Sequence, residues 1–246
     1  MTLLCDDIIP FGNRSFRIVA LPIMIENGLP QIITNSIELQ RKGFNYASSY
    51  FAEAESKWLA NATAKSKKMT IYQRLNFKKG ITNQNLSNKF KVLYVASSTY
   101  LASTIIESSQ IFTYDDMKIS GGFIAESKTY YFETNDEREA YYLFAILNSK
   151  TIDDLIKPKQ SHGLWGPRDI HKLPLSFPIL KFNNNDADHL RLAELGKICH
   201  TKVNQMLPNL KPSSIGKTRT EIRNILKNEL DEISELVRKM RLDIIG

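Results

Sequence analysis

The chain has 246 residues, with 33 Lys+Arg against 26 Asp+Glu and a formal net charge of +7. That length fits one or two domains with a sizeable core, and 42% hydrophobic with 24% charged residues excludes wholesale disorder. Two cysteines, Cys5 and Cys199, exclude a disulfide scaffold and a four-cysteine zinc site, and apolar runs such as 18–25 are too short to span a bilayer. The start, Met1 to Asp7, lacks the basic residues and long apolar stretch of a signal peptide, so a reducing cytoplasm is expected.

In chain order, residues 16–25 read as a strand with Pro22 at an edge or bulge, followed by a turn at Gly28-Leu29-Pro30. From Ser48 to Thr63, Phe51, Ala54, Trp58, Leu59 and Ala62 fall at helical spacing. Residues 69–75 suggest another helical turn. Phe90 to Ala96 is a nearly continuous apolar run suited to a sheet centre. Gly121 to Ala125 and Thr129 to Glu133 read as two more strands. Asp136 with Glu139 is a capping pair for a helix carrying Ala140, Leu143, Phe144 and Leu147. A Gly/Pro loop spans 157–168. A helix with Leu192, Leu195, Cys199, Val203 and Met206 follows Asp188.

Residues 208–216 read as a linker, with Thr218 and Glu221 as the next capping pair. Beyond it Ile222, Leu226, Leu230, Ile233, Val237, Met240 and Ile244 approximate a heptad seam. Seven basic and six acidic residues cover the other faces of this stretch, 217–243. The expected architecture is α+β, a mixed sheet with flanking helices over 1–210. A linker and one long amphipathic helix would occupy 211–246.

The charge is unevenly distributed. Residues 56–106 contain no Asp or Glu but nine basic residues: Lys57, Lys65, Lys67, Lys68, Arg74, Lys78, Lys79, Lys89 and Lys91. Trp58, Tyr72, Phe77 and Phe90 are interleaved with them. A polyanion groove needs this mixture, cations for phosphates and flat side chains for sugar or base. A solvated Lys-rich helix with its aromatics in a core would give the same pattern. The loop residues Lys157, Lys159, Gln160, His162 and Arg168 form a second candidate contact, since Gln and Arg make bidentate base contacts whereas Lys anchors the backbone. The alternative there is a structural loop pinned by Trp165 and Pro167.

Catalytic patterns are weak. Ser214-Ile-Gly-Lys-Thr218 lacks the first glycine of a phosphate loop, where Lys211 stands. Asp115 or Asp116 with Glu126 and Lys128 matches the residue types of a metal-dependent nuclease. His189, Cys199 and His200 lack the paired short spacings of a metal site. No dinucleotide fingerprint is present, and no cofactor is expected.

Several segments occur in a familiar order: Tyr72 to Phe77, Lys91 to Val95, Gly122 to Ile124 with Thr129 to Phe132, Tyr141 to Ser149, and Asp169 to Pro178. This order resembles the C-terminal specificity region of TaqI-like N6-adenine DNA methyltransferases and type IIG restriction-modification enzymes. It is also similar to target recognition domains of type I specificity subunits. The resemblance covers roughly residues 16–205. It implies a mixed α and β domain that recognises double-stranded DNA. A methyltransferase catalytic domain or subunit would be its partner, and S-adenosylmethionine would bind there. No Asn-Pro-Pro or Asp-Pro-Pro motif is present, so no methyl-transfer residue carries over and the chain itself is not expected to be an enzyme.

The sequence therefore points to a DNA specificity module contacting DNA through Lys57, Lys65, Lys67, Lys68, Arg74, Lys78, Lys79, Lys89, Lys157, Lys159, Gln160, His162 and Arg168. Two alternatives stay open: a nuclease built on Asp116, Glu126 and Lys128, and a protein-interaction scaffold that self-associates through the last helix.

Overall fold

The computed structural model describes residues 1–109, 112–114, 117–119, 122–163, 166–210 and 214–242; for 112–114, 117, 119, 162–163 and 166–167 this extends to the backbone only. The strands are β1 Ile8–Ile9, β2 Gly12–Asn13, β3 Ile23–Glu26, β4 Leu29–Ile32, β5 Phe90–Val95, β6 Ser103–Glu107, β7 Phe112–Tyr114, β8 Met117–Ile119, β9 Thr129–Thr134, β10 His162–Gly163 and β11 Gly166–Pro167. The helices are α1 Ser36–Arg41, α2 Asn45–Asn61, α3 Ile71–Leu75, α4 Glu137–Asn148, α5 Lys150–Ile156, α6 Ala187–Met206, α7 Ile215–Ile225 and α8 Lys227–Lys239. The architecture is mixed α+β with small antiparallel sheets and a helical C-terminal region. The chain forms two compact units, residues 1–17 with 88–246, and residues 18–87.

In the larger unit β5 lies between β6 and β9, antiparallel to both. Val92 pairs with Ile105 on one side and Phe132 on the other, and every residue from Lys91 to Val95 is buried. This is the central strand that the apolar run implied. Helix α4 packs on the sheet and α6 packs on α4. Gly196 permits the close approach of α6, because a Cβ there would lie 2.5 Å from the Tyr141 carbonyl oxygen. Asp136 caps α4, accepting from the amides of Arg138 and Glu139. The carboxylate of Glu139 does not complete the expected capping box. It accepts from the Thr134 hydroxyl at 2.6 Å, and that hydroxyl accepts from the Asp136 amide at 3.1 Å.

The C-terminal region departs from the expected boundary. The helix begins at Ile215 with Ser214 as its cap, and Thr218 is buried within it. It breaks at Leu226 (φ −88°, ψ 18°), giving two helices in place of one. Of the inferred seam, Ile222, Leu226, Leu230, Ile233 and Val237 are buried in the same core as β5, α4 and α6, Met240 is partly buried against it, and Ile244 lies outside the described residues. The described part of this stretch, 214–242, is therefore not a separate segment, and the buried part of the seam is consumed within the chain. A periodic apolar stripe needs a partner, and here the partner is the chain's own sheet-and-helix core. Arg219, also buried, donates to the carbonyls of Cys5 and Ile8 at 2.8 and 2.7 Å, which ties α7 to the N-terminal hairpin.

Two expected strands are shorter or absent. Of residues 16–25 only the last three are strand, in Ile23–Glu26, because Pro22 has no N–H to give and Ile18 and Val19 are exposed. Residues 122–125 form no strand, although Phe123, Ile124 and Ala125 are buried and the Ile124 amide donates to the Met1 carbonyl.

In the smaller unit β3 and β4 form a hairpin whose turn is Asn27-Gly28, with φ of 50° and 77°. Both values lie in the left-handed region that a type I′ hairpin turn requires. The turn thus precedes the expected Gly28-Leu29-Pro30, and Leu29 and Pro30 belong to β4. Helix α1 is capped by Asn35, and α2 runs over the stretch with helical spacing. The core is small: Ile33, Leu39, Phe51 and Tyr72, flanked by Met24, Ile32, Ala47, Ala54 and Ile71.

Candidate nucleic-acid interface

The smaller unit, 18–87, carries nine Lys/Arg and four Glu. Lys57 on α2 pairs with Glu53 at 2.6 Å, one helical turn away, so its charge is locally balanced. Among the described residues it is the one lysine or arginine of this unit in an ion pair. Lys65, Lys67, Lys68, Arg74, Lys78 and Lys79 are all exposed, and no carboxylate among the described residues lies within ion-pairing distance of them.

Local structure explains how so many cations come together. The indole N–H of Trp58 donates to the Met69 carbonyl at 2.9 Å, fixing the loop that carries Lys65, Lys67 and Lys68 against α2. A capping box starts α3: the Thr70 hydroxyl accepts from the Gln73 amide, and the Gln73 side-chain oxygen accepts from the Thr70 amide. Asn76 ends α3 and holds the following turn, with Oδ1 accepting from the amides of Ile81 and Thr82 at 3.1 Å. Within that turn Lys78 and Lys79 have φ of 53° and 58°. Left-handed backbone costs a side-chain-bearing residue about 1–2 kcal/mol, so two lysines there in succession are held by the surrounding bonds. Arg74 and Lys78 lie 5.6 and 5.7 Å from the ring centre of the exposed Phe77.

The remaining expected contacts belong to the larger unit and are less uniform. Lys89 is exposed, its amide donating to Asn135 Oδ1. Lys91 is buried and pairs with Glu133 at 3.0 Å, its ammonium 5.2 Å from the Tyr131 ring centre, so it contributes nothing to an exposed basic tract. Lys157 is partly covered. It lies 4.1 Å from the Tyr100 ring centre and 3.4 Å from Asp153, which is buried and also faces Arg223 at 3.6 Å. Lys159 is exposed over Phe177, and Arg168 is exposed.

Gln160 overturns an expectation. It is buried and its amide donates to the Ser98 carbonyl, so it is not placed to read a base edge. The side chain of His162, and Trp165 altogether, lie outside the described residues. The backbone of His162 pairs with Pro167 in a short hairpin.

No protein-family model matches the chain, and no curated protein matches it.

Among the described residues no group of three or more His, Cys, Asp or Glu is arranged to hold a metal ion. His189 accepts the Asn183 amide at 3.1 Å, and His200 bonds the Phe11 carbonyl and Asn204, so each histidine is engaged within the fold. Cys199 is fully buried, and burial pushes its thiol up to about 12. Asp115 and Asp116 lie outside the described residues. Glu126 and Lys128 sit at the turn before β9, where the Lys128 carbonyl accepts from the Cys5 thiol and the Ala96 amide. No helix among the described residues is long and apolar enough to cross a membrane.

The resemblance to a DNA specificity region could not have distinguished exposed from buried lysines, since Lys89 and Lys91 look alike in sequence. Gln73 was not singled out, although Thr70-x-x-Gln73 is a legible capping pattern.

Proposed function

We propose that the chain is a double-stranded DNA recognition module of a restriction-modification system, with adenine-N6 methylation carried out by a separate domain or subunit. One observation carries this reading. Lys65, Lys67, Lys68, Arg74, Lys78 and Lys79 lie exposed between residues 65 and 79, and no carboxylate among the described residues is within ion-pairing distance of them. Unpaired cations concentrated in one segment release counterions from a phosphate backbone, and that release supplies affinity independent of sequence. Base readout would fall to exposed side chains of the larger unit, among them Lys159 and Arg168 of the 157–168 loop.

The test is duplex binding by fluorescence anisotropy between about 50 and 200 mM salt. A steep fall in affinity is expected, and affinity that stays flat would overturn the proposal. Replacing Lys65, Lys67 and Lys68 together by Ala should weaken binding to every sequence alike and reduce the salt slope by about 0.9 per lost phosphate contact.

A further inference from the structure

The smaller unit contains a cleft of about 580 Å³ that a purely electrostatic phosphate face does not need. Ile32 and Met69, both partly buried, contribute apolar surface to its lining, together with Phe77. Lys68, Lys78 and Lys79 line it too, as does Gln73. Phe77 is 48% exposed, so its ring is open to a ligand. The capping box holds the Gln73 side-chain oxygen on the Thr70 amide at 2.9 Å, which fixes the orientation of its NH₂ group. The Thr34 hydroxyl, also in the lining, is engaged by Glu38.

We propose that this cleft binds a single unpaired nucleotide of a nucleic-acid strand, its base stacked on Phe77 and its phosphates held by Lys68, Lys78 and Lys79. The chemistry of the lining supports both halves. A phosphate alone would be served by the lysines and would gain nothing from an exposed aromatic ring beside apolar side chains. A base presents a flat π-face for Phe77 and carbonyl or ring-nitrogen acceptors for the Gln73 amide. Arg74 and Lys78 lie near the ring and are exposed, and the rotamer freedom of such long side chains lets a phosphate draw them away. The inference rests on the nucleic-acid reading but needs only a single strand.

The experiment titrates the full chain against a short labelled oligothymidylate and, separately, a duplex of the same length. Phe77→Ala should weaken oligothymidylate binding about 5- to 100-fold with little change in salt slope, and leave the duplex within about twofold. Phe77→Trp should restore single-strand binding, which separates stacking from any effect on folding. Oligothymidylate binding that depends on Phe77, with no duplex binding, would sustain the cleft and sink the duplex proposal. Three results would overturn the cleft: no oligothymidylate binding, binding indifferent to Phe77→Ala, or displacement by inorganic tripolyphosphate equally from the wild type and the Ala variant.

Discussion

The Tyr72 hydroxyl donates to Oε1 of Glu55 at 2.5 Å, joining the short helix of the basic segment to the long helix of the smaller unit. Glu55 also accepts from the amide and hydroxyl of Ser36 at 2.8 and 3.0 Å. One carboxylate thus links α1, α2 and α3 around a core of four buried side chains. Burial would raise the Glu55 carboxyl, but the bonds from Tyr72 and Ser36 outweigh it and hold the group below its ordinary value. Burial and then the neighbouring carboxylate push the Tyr72 hydroxyl up.

Removing this link should loosen the smaller unit before the larger one. Tyr72→Phe is expected to cost about 1.5–3 kcal/mol, the range for a bond to a charged acceptor. Amide exchange in 18–87 should accelerate while β5 stays protected. Because the folded carboxyl lies below its unfolded value, its contribution is full above about pH 4.3 and disappears as pH falls through the folded value. Glu55→Gln should flatten that acid loss. An unchanged exchange profile for Tyr72→Phe would contradict the role assigned to the bond.

Lys79→Gly separates stability from binding. Glycine adopts φ near 58° without the steric cost that lysine bears, so the variant should gain about 1 kcal/mol in a urea titration. It should bind duplex DNA more weakly because a phosphate contact is gone. A variant both less stable and tighter-binding would show that the left-handed turn serves some other purpose.

The C-terminal helices should behave as core. Ile233 is fully buried, so Ile233→Ala is expected to cost about 2–5 kcal/mol. Deleting 226–246 should unfold the larger unit rather than release a dimerisation arm. Sedimentation of the wild type over a range of concentrations should show no self-association that depends on the Ile222 to Val237 seam.

His200 gives the larger unit a pH dependence near neutrality. Its Nδ1 bonds the Phe11 carbonyl at 2.9 Å and its Nε2 faces the Asn204 amide at 3.0 Å, which fits a neutral ring with the proton on Nδ1. Burial pushes its pKa down. The unfolded chain therefore takes up a proton first, and stability falls as pH drops below about 6.5 until the folded ring also titrates. His200→Gln should remove the part of the slope below about pH 6.5 that this ring supplies, read from urea midpoints.

Gln160→Ala should lower the melting temperature without altering the DNA sequence preferred, because the side chain is enclosed and bonded to Ser98. Arg168→Ala, at an exposed position of the same loop, should alter sequence preference with little effect on stability. The opposite pairing of outcomes would reverse the assignment of base readout within the loop.

The amino-acid order alone determined those features whose causes are local. The apolar run of β5 required burial on both faces, the stripe from Phe51 to Trp58 required a helix, and Asp136 required a helix start. The absence of Asp and Glu between 56 and 106 marked the cationic segment. What depends on partners distant in the chain was not legible there. Lys91 and Lys89 differ only in what faces them, a partly buried Glu133 in one case and solvent in the other. Gln160 reads as a base reader until Ser98 is seen to hold it. The seam from Ile222 to Val237 has the period of a coiled coil, but period says only that a stripe must be covered. The chain's own core covers it, because the break at Leu226 and the bonds from Arg219 turn both helices inward. The cleft beside Phe77 likewise depended on Asn76 and the capping box folding three lysines and an exposed aromatic ring around the same space.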